Sequence, residues 1–378
     1  MKYCKRCLQP DTRPGIEFDA RGVCPACNYF DVLEQVDWKA REQELRNLSA
    51  KLRSPDASEY DCIIGVSGGK DSLRQARYAK NVLGLRPLLV SLGYPPRQLT
   101  QRGVDNVSNM IKQGFDCIMI YPAPETWRLL MRKAFLKFCN WCKSTEYPLF
   151  ASVPRLATAY QIRLVLWGEN PALQLGDLNT MGKTGWDGNS VRNMNTLKGG
   201  NPDWMCGLGI SKKNILQYYY PAEAEMERAG IQIVYLGYFW QDWALVDNAN
   251  YGVVNGLEVR NEPPQEIGDP YGVTSLDEDW VGMNQMIKYL KFGFGRTTDY
   301  VNEQIRRGRM SRAEGVELVE LYDGCCGERY ITSFCKFIDI TVDQFWETVD
   351  LSVNRDLFSK DGKGKWVRRF KVGSPCAA

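Results

Sequence analysis

Between residue 60 and about residue 170, short continuous apolar runs alternate with longer amphipathic stretches. Asp61–Val66 (DCIIGV) is an apolar run that ends in a glycine-rich turn, and Leu73–Leu83 beyond it has helical composition. Pro87–Leu92 (PLLVSL) reads as a second strand, Leu99–Gln113 as a second helix and Asp116–Tyr121 (DCIMIY) as a third strand. Helices are expected around Glu125–Phe138 and Leu149–Tyr160. Arg163–Trp167 (RLVLW) is a fourth strand, again ending in a glycine, Gly168, and Ile231–Phe239 is a fifth candidate. Strands apolar throughout and separated by helices imply a parallel sheet covered on both faces. Ligands bind such sheets beyond the carboxyl ends of the strands. The glycines after Val66 and Trp167 both fall on that edge.

The flanking segments read differently. Residues 1–30 hold four cysteines in two pairs. Residues 31–55 read as a polar helical connector with a sparse apolar stripe of Leu33, Val36, Leu45, Leu48 and Leu52. Gly176–Asn201 is rich in glycine and asparagine and longer than an ordinary connection, which suits a substrate loop, a lid or a disordered insertion. In the helical tail, Ser311-Arg-Ala-Glu314 and Thr341-Val-Asp-Gln344 match the capping box. Three parts are therefore expected: 1–30 as a four-cysteine zinc-binding segment, 31–290 as the α/β domain, and 291–378 as a helical C-terminal region.

Composition narrows the chemistry. The 378 residues are 44% hydrophobic and 25% charged, with a net charge of +3. That near-neutral balance gives no large basic face, so nucleic acid is not an expected partner. No apolar run approaches the roughly 18 to 20 residues of a membrane span, and no signal-peptide core follows Met1. A cytoplasmic protein is expected. There is no histidine anywhere, which excludes imidazole bases, Ser-His pairs and histidine-ligated metals. Acid–base work must fall to carboxylates, Lys, Tyr, Cys or the substrates themselves. Of the 13 cysteines, Cys62, Cys117, Cys206, Cys335 and Cys376 stand outside any pair. Without a secretion signal, a disulfide framework is not expected.

The decisive motif runs from Ile63 to Ser72, IIGVSGGKDS. Two glycines let the backbone turn sharply and bring its N–H groups against a ligand. The helix that follows adds unpaired N–H groups and a partial positive charge, which suit phosphate. Ser67 and Ser72 offer hydroxyls, Lys70 a cation, and Asp71 a carboxylate able to hold Mg²⁺. The spacing is not that of a Walker A loop. It resembles the signature of the PP-loop ATP pyrophosphatases, whose members include GMP synthetase, argininosuccinate synthetase, NAD synthetase and tRNA thiolation enzymes. The resemblance implies a Rossmann-like fold of the adenine nucleotide alpha hydrolase type. It also implies cleavage of ATP between its α- and β-phosphates to adenylate a carbonyl-type oxygen. On that reading Ser67, Gly68, Gly69, Lys70, Asp71 and Ser72 cradle the leaving pyrophosphate, with Lys70 and Asp71 catalytic, and Gly168 completes the nucleotide pocket. Glu169 and Asn170 stand within reach of metal or substrate, although a solvated strand-end turn has the same composition.

Cys4-Lys-Arg-Cys7 and Cys24-Pro-Ala-Cys27 form two CxxC pairs. Each pair converges two thiolates from one turn, and four together complete a tetrahedron around a structural zinc. A third pair, Cys139-Asn-Trp-Cys142, fits a second metal site, a redox pair or packed thiols. Some tRNA thiolation relatives hold an iron–sulfur cluster with a CxxC and one distant cysteine, a role open here to Cys206 or the Cys325-Cys326 doublet. Packing or a substrate-loop role is favoured, because no fixed spacing ties a third cysteine to the pair.

A longer resemblance joins the cysteine head (YCKRCLQPDTRPGIEFDARGVCPAC), the SGGKDS loop, LVLWGENPAL and the tail KYLKFGFGRTTDYVNEQIRRGRMSRAEGVELVELYDG. Together these are similar to N-acetyl sugar amidotransferases of bacterial lipopolysaccharide O-antigen and flagellar sugar synthesis. That resemblance implies conversion of an acetamido group on a nucleotide-linked sugar to an acetamidino group. It also implies ammonia from a partner glutaminase subunit, often with a cyclase-like companion. A histidine-free chain has no Cys-His pair with which to hydrolyse glutamine itself. Arg296, in KFGFGR, is a candidate contact for anionic sugar or phosphate groups. The rival within the same ATP chemistry is a tRNA sulfur transferase using Cys139 and Cys142.

Overall fold

The computed structural model describes residues 1–170, 184–194, 197–207 and 209–374. Its centre is a five-stranded, all-parallel sheet in the order β3-β2-β1-β4-β5, with β1 Cys62–Gly65, β2 Pro87–Leu92, β3 Asp116–Ile120, β4 Leu164–Trp167 and β5 Gln232–Tyr235. Ile63 of β1 sits between Leu88 of β2 and Val165 of β4. All three are essentially withdrawn from water, as expected for strands packed on both faces. The chain leaves β1 towards β2 and later returns to lay β4 on β1's other side. The β1/β4 boundary is thus the switch point where a crevice opens in such sheets.

The edge strand departs from the sequence reading. In β3, Asp116 and Met119 are exposed and Cys117 is only half-buried. The composition of DCIMIY resembles that of a central strand, but β3 has a neighbour on one side only.

The fifth strand is shorter than its apolar run. After Tyr235 the chain enters a 3-10 turn, Leu236–Tyr238. Gly237 there lies so close to the β4 end that an added Cβ would stand 2.8 Å from the Glu169 carbonyl and 3.0 Å from Asn170 Cβ.

The helix expected from Leu149 begins seven residues earlier and spans Cys142–Tyr160 with Pro148 and Pro154 inside it. Proline normally ends a helix by removing an N–H. Here Tyr147, Ala151, Val153 and Ala157 are all buried, and that packing outweighs the local preference. The polar connector contains the helix Trp38–Leu52, begun by Asp37, whose side chain accepts from the Lys39 and Ala40 N–H groups. Only Leu45 of its leucines is fully buried.

The tail forms five helices, Val281–Phe292, Arg296–Arg306, Arg312–Tyr322, Glu328–Ile338 and Val342–Asp350, then a small hairpin. Both capping boxes are present, Ser311 with Glu314 and Thr341 with Gln344. The tail shares a core with the helix Pro124–Phe138. The Phe135 ring stacks on Phe345 at 5.1 Å and meets Phe334 edge-on at 5.3 Å, contacts worth about 0.5–1.5 kcal/mol each beyond area burial. No described helix is long and apolar enough to cross a membrane.

Candidate active site and metal centre

The SGGKDS corner leaves β1 and starts the helix Lys70–Asn81. Gly68 has φ +77°, and a Cβ there would lie 2.9 Å from the Val107 backbone nitrogen. Only glycine meets both conditions at no cost. Gly69 is the N-cap, and no side chain caps the helix, so its first N–H groups remain available to an anion. Lys70 is nearly buried, and its Nζ lies 2.7 Å from Asp71 Oδ2. Asp71 Oδ1 accepts a bond from Asn248 Nδ2 at 2.6 Å. Asn248 Oδ1 in turn accepts from Arg74 at 2.6 Å. Ser72 donates to the Gly69 carbonyl at 3.0 Å, which shapes the turn.

Across the switch point, β4 delivers Gly168, Glu169 and Asn170. A Cβ on Gly168 would fall 2.1 Å from Gln75 Nε2 and 3.1 Å from Trp243, so a larger residue would have to displace the Gln75 side chain. Asn170 is buried and donates to the Gly237 carbonyl at 3.0 Å; it braces the strand end. Glu169 meets water in the cavity but is otherwise ringed by protein. That surrounding bulk, together with the negative charge of Asp71 and against the pull of Lys70, moves its carboxyl up to about 7. A carboxyl raised in this way suits a group that handles protons.

Between these ends lies a cavity of about 330 Å³, at the lower end of the range for small-molecule sites. Ser67, Gly69, Lys70, Asp71 and Ser72 line one side, with Gly168 and Glu169 beside them. Val66, Val90, Leu92 and Phe150 supply apolar wall. The opposite side is Val273–Leu276 with Arg296.

This opposite wall was not foreseen from sequence apart from Arg296. Ser275 adopts φ +50°, unusual for a residue with a side chain. The segment is pinned by Arg260, which donates to the Ser275 carbonyl at 3.0 Å, and by Thr100, whose hydroxyl donates to the Leu276 carbonyl at 2.7 Å. Arg296 begins its helix and reaches Ser275 Oγ at 3.4 Å. The glycines before Arg296 also have a structural role. Gly293 ends one helix at φ +77°, and the Gly295 N–H donates to buried Asp323, which also accepts from the Thr297 N–H at 2.9 Å.

Far from this cavity, Cys4, Cys7, Cys24 and Cys27 are buried with their sulfurs within 4.8 Å of one another. Cys4 and Cys27 sulfurs are 3.9 Å apart, and those of Cys7 and Cys24 3.7 Å. A tetrahedron with metal–sulfur bonds of about 2.3 Å has edges of about 3.8 Å, so the set fits a four-thiolate metal site. The Cys24 N–H donates to Cys4 Sγ at 3.3 Å and the Gln9 N–H to Cys7 Sγ at 3.4 Å, as thiolate ligands favour. Among the described residues no other group of three or more such ligands comes together. Cys139 and Cys142 have no third cysteine at ligand distance there, and burial pushes both thiols up. Asn284 donates to Cys142 Sγ at 3.4 Å. Packed thiols describe this pair better than a cluster site. Residues 176–183, 195 and 196 of the expected lid lie outside the described residues.

The all-parallel sheet, its order and the glycine corner at its switch point define a doubly wound α/β fold. Residues 270–371 match the family model described as LPS biosynthesis protein WbpG-like, C-terminal domain. Among solved structures, the chain is similar to an NH3-dependent NAD synthetase from Campylobacter jejuni at 15% identity, over 37% of this chain and 61% of that one, with a TM-score of 0.28. It thus spans under two thirds of that enzyme's length. It is also similar to NMN synthetase from Francisella tularensis (16% identity, 60% and 99% coverage, TM-score 0.29). A third is the U34-tRNA thiolase NcsA from Methanococcus maripaludis, solved with its [4Fe-4S] cluster (13% identity, 72% and 79% coverage, TM-score 0.28). No curated protein gives a significant match.

Proposed function

We propose that this chain is an ATP-dependent amidotransferase that replaces the acetamido oxygen of a nucleotide-linked N-acetyl sugar with nitrogen, releasing AMP and pyrophosphate. One observation carries the reading. The cavity has two walls of different origin, the SGGKDS corner on one side and Val273–Leu276 with Arg296 on the other. The second wall falls wholly within residues 270–371, the stretch that matches the domain of an LPS biosynthesis protein.

The chemistry follows from that pairing. The Gly68–Ser72 backbone and Lys70 would hold the β- and γ-phosphates of ATP, and Asp71 would hold a Mg²⁺ that offsets their charge. The acetamido oxygen attacks the α-phosphorus, the bond to the bridging oxygen breaks, and pyrophosphate leaves towards the helix N-terminus. Ammonia then adds to the amide carbon, which loses AMP carrying the former acetamido oxygen. Glu169 takes the proton that the incoming nitrogen sheds. Arg296 meets an anionic part of the sugar nucleotide. Ammonia comes from a partner glutaminase subunit, with or without a cyclase-like companion, and the Cys4/Cys7/Cys24/Cys27 site holds structural zinc.

The reading is tested by following ATP with an acetamido nucleotide sugar and ammonium. AMP and pyrophosphate should form, and Lys70→Ala should slow turnover about a hundredfold or more. ADP and phosphate as the substrate-dependent products would contradict it.

A further inference from the structure

The N-terminal cysteine segment lies along the helix that presents Arg296. Gln9, whose N–H donates to Cys7 Sγ, accepts a bond from Arg13 Nε at 2.9 Å through its side chain. The Arg13 guanidinium lies over the Phe294 ring at 4.4 Å and pairs with Asp299. Lys288 approaches the same ring at 4.7 Å and the same carboxylate at 3.0 Å. Phe294 and Asp299 stand two residues before and three after Arg296. Burial alone would raise the Asp299 carboxyl, but Arg13, Lys288 and Arg296 hold it at about 2.

Farther along the helix, the Leu8 N–H donates to Asn302 Oδ1 at 2.7 Å, and Ile305 packs against the four-cysteine cluster. Arg306, buried at the helix end, donates through Nε to the Asn302 carbonyl at 3.1 Å. A continuous path therefore runs from Cys7 through Gln9 and Arg13 to the turn that carries Arg296.

We infer that Arg13 is a positioning residue for Arg296, and that the metal-binding segment is a splint that sets where Arg296 stands in the acceptor half of the cavity. Neither Arg13 nor the cysteines line the cavity. Their effect would reach the acceptor through the helix, and the phosphate loop would be spared. The functional half of this inference rests on the proposed role of Arg296; the mechanical half does not.

The experiment uses the full-length metal-loaded chain with Arg13→Gln and Arg13→Lys variants, and UDP-N-acetylglucosamine as the nucleotide-sugar probe. Metal content is measured first. Arg13→Gln should keep its metal and its KM for ATP, raise KM for the nucleotide sugar about tenfold or more with little change in kcat, and be largely rescued by Arg13→Lys. Backbone hydrogen exchange should rise across residues 294–306 and stay unchanged across Lys70–Asn81. Chelation of the wild-type metal should raise exchange in 294–306 in the same way. Unchanged exchange and KM in Arg13→Gln overturn the inference. So does a uniform rise in exchange with equal loss of ATP and sugar affinity, which would mark general loosening. If the wild type turns over no acetamido nucleotide sugar, the functional proposal fails, and exchange in 294–306 alone decides whether Arg13 and the metal hold that helix.

Discussion

Asn248 holds Asp71 from a helix packed against the one that begins at Lys70: its side-chain N–H meets Asp71 Oδ1 at 2.6 Å, while Lys70 occupies Oδ2 at 2.7 Å. The carboxylate is thus fixed in one orientation before any ligand arrives. Asn248 is buried in the helix Leu245–Val254 and is itself oriented by Arg74. Truncating it removes the bond to Asp71 Oδ1 and leaves Arg74 with Asp242 as its remaining partner. Loss of a buried hydrogen-bond partner costs about 1–3 kcal/mol. Asn248→Ala should therefore weaken Mg-ATP binding or slow AMP formation about tenfold, with the fold intact by circular dichroism. Wild-type kinetics in that variant would show that the bond does not orient Asp71.

Much of this site was legible from sequence, and what was missed has a common cause. The glycines of the SGGKDS corner, the β4 end and the two CxxC pairs are local patterns, and each appears where its spacing placed it. Arg296 was visible through the glycines around it. Asn248 and the Val273–Leu276 wall carry no local signature, because their roles depend on contacts across 177 and roughly 200 positions of chain. Gly103 shows how such contacts stay hidden. It reads as an unremarkable residue of a helix, yet a Cβ there would strike Asp277 Cα at 2.5 Å, so it is what lets the segment after Leu276 lie against that helix. The Cys142–Tyr160 helix was read short for a related reason, since the burial that overrides its prolines is tertiary.

Glu169 gives a pH signature. Its folded carboxyl is raised from 4.5 to about 7 by the protein around it and by Asp71. A carboxyl raised on folding contributes stability that is complete below its unfolded value and is lost as pH climbs through its folded value. Wild-type Tm should therefore fall relative to Glu169→Gln steadily between about pH 4.5 and about pH 7, and level off above that. Parallel Tm curves for the two proteins would show that Glu169 titrates normally.

The four-cysteine segment should bind one zinc per chain, and Cys4→Ser with Cys24→Ser should abolish it. Binding free energy at four-thiolate sites is on the order of 10 kcal/mol and is spent on folding. The double variant should therefore lose the fold of residues 1–30 and show a clearly lowered Tm. Metal analysis of purified protein, paired with thermal melts, checks both parts. Unchanged zinc content in the double variant would remove the site.

The central claim is that the acetamido oxygen leaves on AMP, and an isotope follows that oxygen directly. A nucleotide-linked N-acetyl sugar carrying oxygen-18 in its acetamido carbonyl is incubated with the enzyme, Mg-ATP and ammonium chloride. Mass spectrometry should find the label in the phosphate of AMP and an acetamidino sugar free of it. Label retained in the sugar while AMP forms unlabelled, or the appearance of ADP in place of AMP, would contradict the account.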